Sequence, residues 1–188
     1  MSGAGQTDTD NGRRPPATAA GGKASRRGRG ASGAGTRILF VCLGNICRSP
    51  AAEGAVRARA AEAGLALELD SAGTAGWHVG KPPYGPMIAA AARRGIDLAP
   101  LRARQFSARD FTRFDLILGM DRDNIADMER LRPAGNETPL KLFLEYAPQT
   151  GFREVPDPYH TRDFEQALDL IEAAARGLVE RIGGIRTL

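Results

Sequence analysis

The sequence is poor in the groups on which several kinds of protein are built. Its 188 residues include two cysteines, Cys42 and Cys47. That is too few for a disulfide scaffold, and a reducing compartment, the cytoplasm, is the expected setting. The two histidines, His78 and His160, fall at no recognised ligand spacing, so no metal and no cofactor is expected. No run of about 18 apolar residues occurs, which leaves no candidate membrane span. The twin arginines Arg13 and Arg14 are not followed by an apolar stretch, so no export signal is expected either. The Gly-Lys-Ser/Thr that closes a Walker phosphate loop is missing.

The first 35 residues contain no Leu, Ile, Val, Phe, Tyr or Trp, yet hold nine of the 23 glycines. Such a segment cannot bury enough apolar surface to offset the entropy of ordering it. Residues 1–36 are therefore expected to be a disordered basic tail rich in Gly, Ala and Arg, ahead of one domain over 37–188. The tail's six basic and two acidic groups account for the whole net charge of +4, leaving 20 of each sign in residues 37–188. A balanced domain gives no reason to expect a nucleic-acid partner.

In that domain, apolar runs alternate with helical patterns. Ile38-Leu39-Phe40-Val41-Cys42 is continuously apolar, as in a strand buried on both faces. A polar, glycine-containing loop follows at 43–48. Ser49 then reads as an N-cap, with Pro50 at the first helical position, Glu53 near the helix dipole and Gly64 closing the helix. Further strands are expected at 67–72, 115–120 and 140–144. Further helices are expected at 86–94, 122–131 and 163–182, the last with Phe164, Leu168, Ile171, Ala175 and Leu178 on one face. Alternating strands and helices predict an α/β domain with a parallel sheet.

The first strand–loop–helix junction carries chemistry. Cys42 ends a central strand, at the edge where open α/β sheets bind ligands. The amides of Leu43, Gly44, Asn45, Ile46 and Cys47 and the helix N-terminus favour an anion there. Arg48 adds a planar cation suited to two phosphate oxygens. The same groups favour a thiolate at Cys42, which is the nucleophilic form. One loop thus supplies nucleophile and phosphate cradle together. Asp157, just before Pro158, sits where a loop is expected and is the candidate acid.

The segment CLGNICRSPAAE at 42–53 resembles the signature of the low-molecular-weight protein-tyrosine phosphatases of bacterial type. DSAGT at 70–74, WHVG at 77–80, ARQ at 103–105, MDRDN at 120–124 and DPYH at 157–160 resemble further family blocks, in family order. The resemblance implies a three-layer, flavodoxin-like domain around a four-stranded parallel sheet, with the phosphate loop between the first strand and the first helix. It implies hydrolysis of phosphotyrosine in protein substrates through a phosphocysteine at Cys42. Arg48 resembles the arginine that binds phosphate, Ser49 the hydroxyl that bonds the thiolate, and Asn45 the residue that braces the loop in a strained conformation. Asp157 resembles the general acid, Trp77 and Tyr159 resemble walls of the substrate cleft, and Asp121 resembles a residue that orders the site. Three departures stand out: His160 where a second aromatic is common, Leu101 where histidine is common, and Tyr84-Gly85-Pro86 in place of Asp-Pro-Arg. They predict a change in a local loop or helix start and retention of the chemistry.

Three other activities on such a scaffold are weighed. A thiol-coupled arsenate reductase needs a cysteine relay, and no cysteine follows Cys47. Phosphoarginine hydrolysis favours threonine where Ile46 stands. A non-catalytic phosphotyrosine-binding module would be expected to lose Cys42 or Asp157. A Cys42–Cys47 disulfide is the expected product of mild oxidation.

Overall fold

A computed structural model describes residues 35–186. The expected tail lies outside the described residues, apart from Gly35 and Thr36. Strand β1, Thr36–Cys42, begins one residue ahead of the expected domain start. It is followed by α1 (Arg48–Glu62), β2 (Leu67–Gly73), α2 (Gly85–Ala92), α3 (Asp110–Arg113), β3 (Leu116–Gly119), α4 (Arg122–Glu129), β4 (Leu140–Leu142), α5 (Pro158–Thr161) and α6 (Phe164–Arg186). The four strands form one sheet in the order β2-β1-β3-β4, and every pairing is parallel.

The apolar run of β1 has the position its composition called for. Ile38, Phe40 and Cys42 pack into a core under α1, α2 and α6. Leu39 and Val41 pack on the opposite face with Phe111 of α3, Ile117 and Met128 of α4. Side chains alternate across a strand, so a strand covered on both faces needs an unbroken apolar run. The result is three layers, helix on sheet on helix. Successive connections from β1 run to β2 on one side and, later, to β3 on the other. The end of β1 is therefore a topological switch point, where ligands bind in open α/β sheets.

Some elements differ from the sequence expectation. The fourth strand is short, and Phe143 and Leu144, which end the expected strand, open a 3₁₀ turn over Phe143–Tyr146. That turn buries Phe143 edge-on against Phe40, with ring centroids 5.3 Å apart. A short apolar run carries the same signal in either form. Helix α1 starts at Arg48, so Ser49 lies inside it and does not cap it. Gly64 does follow its end in the left-handed region, at φ 65°. The short helices α3 and α5 were not expected. Gly177 on α6 is needed for close approach: a Cβ there would lie 1.9 Å from the Tyr146 carbonyl oxygen.

Candidate active site

The loop 43–47 leaves the end of β1 and returns as the first turn of α1, curling around the Cys42 sulfur. The Asn45 amide donates to Cys42 Sγ at 3.3 Å, and Ser49 Oγ lies 3.0 Å from the same sulfur. Asn45 makes the curl possible by taking a left-handed φ of 55°, which costs a non-glycine residue roughly 1–3 kcal/mol. Its side chain offsets that cost. Nδ2 donates to Ser49 Oγ at 2.9 Å and to Ser71 Oγ at 3.0 Å, while Oδ1 accepts from the Arg104 amide at 2.9 Å. Ser71 Oγ donates in turn to Glu53, a carboxylate only 4% exposed. Arg104 is anchored by Asp70 and Asp110.

The loop's carbonyls are turned outward and used. Those of Cys42, Leu43 and Ile46 accept from Thr74, Ala75 and Tyr84 at 2.7–2.9 Å. Among the described residues, the N–H groups of Leu43, Gly44, Ile46 and Cys47 donate to no protein acceptor, although all four residues line one cleft. Unpaired amides around a sulfur form a nest for an anion. Gly73 lets β2 approach this close: a Cβ there would sit 2.8 Å from the Leu43 oxygen and 3.1 Å from the Asn45 nitrogen.

Arg48 is 3% exposed and is gripped from two sides. One terminal nitrogen donates to Asp121 at 2.6 Å and to the Val155 carbonyl at 3.2 Å, and the other donates to Asp157 at 2.8 Å. Burial opposes its charge, but Cys42, Asp157 and Asp121 outweigh that, and the guanidinium holds its proton above the ordinary arginine range. Its Nε is buried with no hydrogen-bond partner. A buried donor left unpaired costs roughly 1–3 kcal/mol, so one on a side chain that lines the same cleft as the free amides marks a place for an acceptor. The two carboxylates use their second oxygens to cap helices. Asp121 accepts from Asn124 at the start of α4, and Asp157 accepts from Tyr159 at the start of α5. Asp157 is in extended backbone just before Pro158, as its place in the sequence suggested, and from there it caps α5.

The cleft holds about 230 Å³. Of the residues singled out in the sequence, Cys42, Leu43, Gly44, Ile46, Cys47, Arg48, Trp77, Asp157 and Tyr159 line it, while Asn45 and Ser49 are buried just behind. Trp77 and Tyr159 are both exposed residues of its lining, Trp77 at 69%. His78 and His160 also line the cleft. The sequence marks His78 only through the WHVG block and the absence of a metal-ligand spacing. Glu53, which the sequence placed only near a helix dipole, acts on the loop through Ser71, and Ser71, Gly73 and Arg104 act on it from sites distant in the chain. The DSAGT and ARQ blocks were the signal for them. Among the described residues no group of three or more His, Cys, Asp or Glu side chains is placed to hold a metal ion.

Comparison with known proteins matches the family described as low molecular weight phosphotyrosine protein phosphatase over residues 37–185. The chain is 41% identical over 147 residues to the low molecular weight protein-tyrosine-phosphatase YfkJ of Bacillus subtilis, covering 77% of this chain and 94% of that protein. It is 42% identical over 155 residues to a low molecular weight protein-tyrosine-phosphatase of Streptomyces coelicolor, covering 78% and 93%. The crystal structure of YfkJ superposes with a TM-score of 0.77 at 40% identity, covering 81% of this chain and 97% of that one. A protein tyrosine phosphatase from Entamoeba histolytica, crystallised with Hepes in its active site, gives a TM-score of 0.76 at 31% identity over 80% and 99%.

Proposed function

The chain belongs to the low molecular weight phosphotyrosine protein phosphatase family, and we propose that it hydrolyses phosphotyrosine through Cys42, with Arg48 holding the phosphate and Asp157 moving the proton. The observation that carries this is the orphaned Arg48 Nε beside a cysteine ringed by unpaired amides. A phosphate dianion seated there gives every one of those donors an acceptor.

Chemistry follows from the positions. The Cys42 sulfur attacks phosphorus, and negative charge grows on the equatorial oxygens, which the loop amides and Arg48 Nε stabilise. Asp157 enters this step as the carboxylic acid and protonates the departing phenol oxygen. The products are a free tyrosine hydroxyl and a phosphocysteine. Asp157, now a carboxylate, takes a proton from water; the water oxygen attacks phosphorus, the S–P bond breaks and the sulfur leaves as thiolate. Ser49 Oγ, 3.0 Å away, donates to that thiolate and eases its departure. Arg48 donates to Asp157 at 2.8 Å. Phosphate competes for the guanidinium and so frees the carboxyl for its proton transfer. Trp77 and Tyr159 flank the entrance as apolar walls for an aryl ring.

The substrates are phosphoproteins carrying phosphotyrosine. No helix of the described residues is long and apolar enough to cross a membrane, and two free thiols suit a reducing cytoplasm. The test is turnover of p-nitrophenyl phosphate and a phosphotyrosine peptide beside phosphoserine and phosphoarginine peptides. The aryl esters should be hydrolysed at least a hundredfold faster, as roughly expected where a deep apolar-walled cleft must be spanned. Equal or faster hydrolysis of phosphoarginine would contradict the assignment.

A further inference from the structure

The catalytic cleft shares one wall with a second pocket. Ile46, His78 and Tyr159 line both, and Lys81, Pro82, Pro83 and Tyr84 complete the second, which encloses about 310 Å³. A peptide bound by its phosphotyrosine and leaving the cleft over this shared wall meets the pocket, since successive Cα atoms are only about 3.8 Å apart. A residue close to the phosphotyrosine therefore falls within reach of the pocket.

The pocket is preformed. Two prolines fix its floor, and the segment is tied down at both ends. The Tyr84 amide donates to the Ile46 carbonyl at 2.7 Å, and Lys81 exchanges backbone bonds with His78 and Ala103 at 2.9 Å. The Tyr84 ring packs edge-on against Tyr159 with centroids 5.3 Å apart, and the Arg162 guanidinium donates to the Tyr84 hydroxyl at 2.8 Å while lying 5.7 Å over its ring. This is the stretch where the family's usual Asp-Pro-Arg is replaced by Tyr-Gly-Pro.

Its charge is unbalanced. Several cations elsewhere on the domain, among them Arg37, Arg93, Arg94, Arg104, Arg122 and Arg132, have a carboxylate partner, although Arg102, Arg109, Arg113 and Arg153 have none among the described residues. Lys81 is exposed and, among the described residues, neither it nor Arg162 has one. The one carboxylate at either opening, Asp157, is engaged by Arg48. The first 36 residues of the chain are themselves basic and repeat the pocket's charge without complementing it.

We propose that this pocket is a subsite for an acidic side chain beside the phosphotyrosine, with Lys81 as the cation in its lining and Arg162, held on the Tyr84 hydroxyl, beside it. The proposal deepens the phosphotyrosine reading and rests on it. Acidic flanking residues then raise kcat/KM by about five- to tenfold over basic ones, as expected for two exposed charges, and the effect shrinks with added salt.

The test uses three phosphotyrosine peptides, with glutamate, leucine or lysine on both sides of the phosphotyrosine. Each kcat/KM is divided by that for p-nitrophenyl phosphate, which ends short of the pocket and reports the chemistry alone. The wild type should rank glutamate over leucine over lysine at low salt, and Lys81→Glu should level or invert the order. A leucine peptide ahead of the glutamate peptide, or the same ranking in Lys81→Glu as in wild type, would overturn the subsite. Failure to hydrolyse both p-nitrophenyl phosphate and the peptides would instead remove the phosphotyrosine reading on which it stands.

Discussion

Cys42 and Cys47 are five residues apart and both buried, yet they are set up for different chemistry. Burial pushes the Cys47 thiol up to about 12, and the neighbouring Cys42 and Asp157 charges add to the shift. Cys47 is therefore a thiol near neutral pH. Because its folded value lies above the ordinary 9.0, the stability it contributes is complete below about pH 9 and is lost as pH rises toward 12. Iodoacetate at pH 7 should accordingly label Cys42, abolish activity and leave Cys47 untouched, with phosphate protecting. Mass spectrometry showing Cys47 labelled first would contradict the assignment. Peroxide should convert Cys42 to the sulfenic acid, removing the negative charge that helps hold the Cys47 proton. The Cys47 sulfur then displaces water to close a disulfide. Reductant should restore wild-type activity, while Cys47→Ser should be lost permanently at a lower dose; equal recovery in both would count against this. Cys42 and Arg48 were legible because nucleophile and cradle lie in one stretch of ten residues. Glu53 and Ser71 were not, because their effect on the sulfur passes through Asn45 and exists only after folding.

At the scale of elements, two helix N-termini converge on one guanidinium. Asp121 caps α4 and Asp157 caps α5, and each turns its other oxygen to Arg48. Capping fixes each carboxylate, so Asp157, the proposed acid, is held in place from the start of α5. Asp157→Ala should lower kcat for phosphotyrosine by roughly 10²–10⁴, the usual worth of a general acid. The loss should be far smaller for an activated phenol such as p-nitrophenol, which leaves without a proton. A plot of rate against leaving-group pKa should therefore steepen in the variant. An unchanged slope would move the acid to another residue. The sheet was readable from its apolar runs, β1 most plainly, since burial on both faces demands an unbroken run. The capping roles were not. Ser49 has the composition of an N-cap, but its hydroxyl turns to the Cys42 sulfur and the Ala72 carbonyl, and only the fold of β2 beside the loop reveals that competition. The 3₁₀ turn at Phe143 was likewise hidden, because its apolar run fits a strand equally well.

Across the whole molecule, α6 holds the layer behind the site together. Its buried face, Leu168, Ile171, Ala175 and Leu178, was evident from its spacing. Its closest contact was not: Gly177 packs on the Tyr146 carbonyl, and nothing in the local sequence marks it. Gly177→Ala should force α6 outward and cost about 1–3 kcal/mol, the range for overpacking, while kcat stays near wild type because the contact is remote from the cleft. Urea unfolding checks this, and an unchanged midpoint would contradict the packing. Arg94 reinforces the same layer, tying α2 to α6 through Glu165, Asp169 and Glu172. All of this structure serves one claim, that phosphate passes through the Cys42 sulfur. The direct measurement is acid quenching of Asp157→Ala during turnover of p-nitrophenyl phosphate, followed by mass spectrometry of its peptides. The account predicts one phosphate on the peptide containing Cys42, absent from Cys42→Ser, which should show no turnover. Phosphate on another residue, or turnover by Cys42→Ser at the wild-type rate, would contradict it.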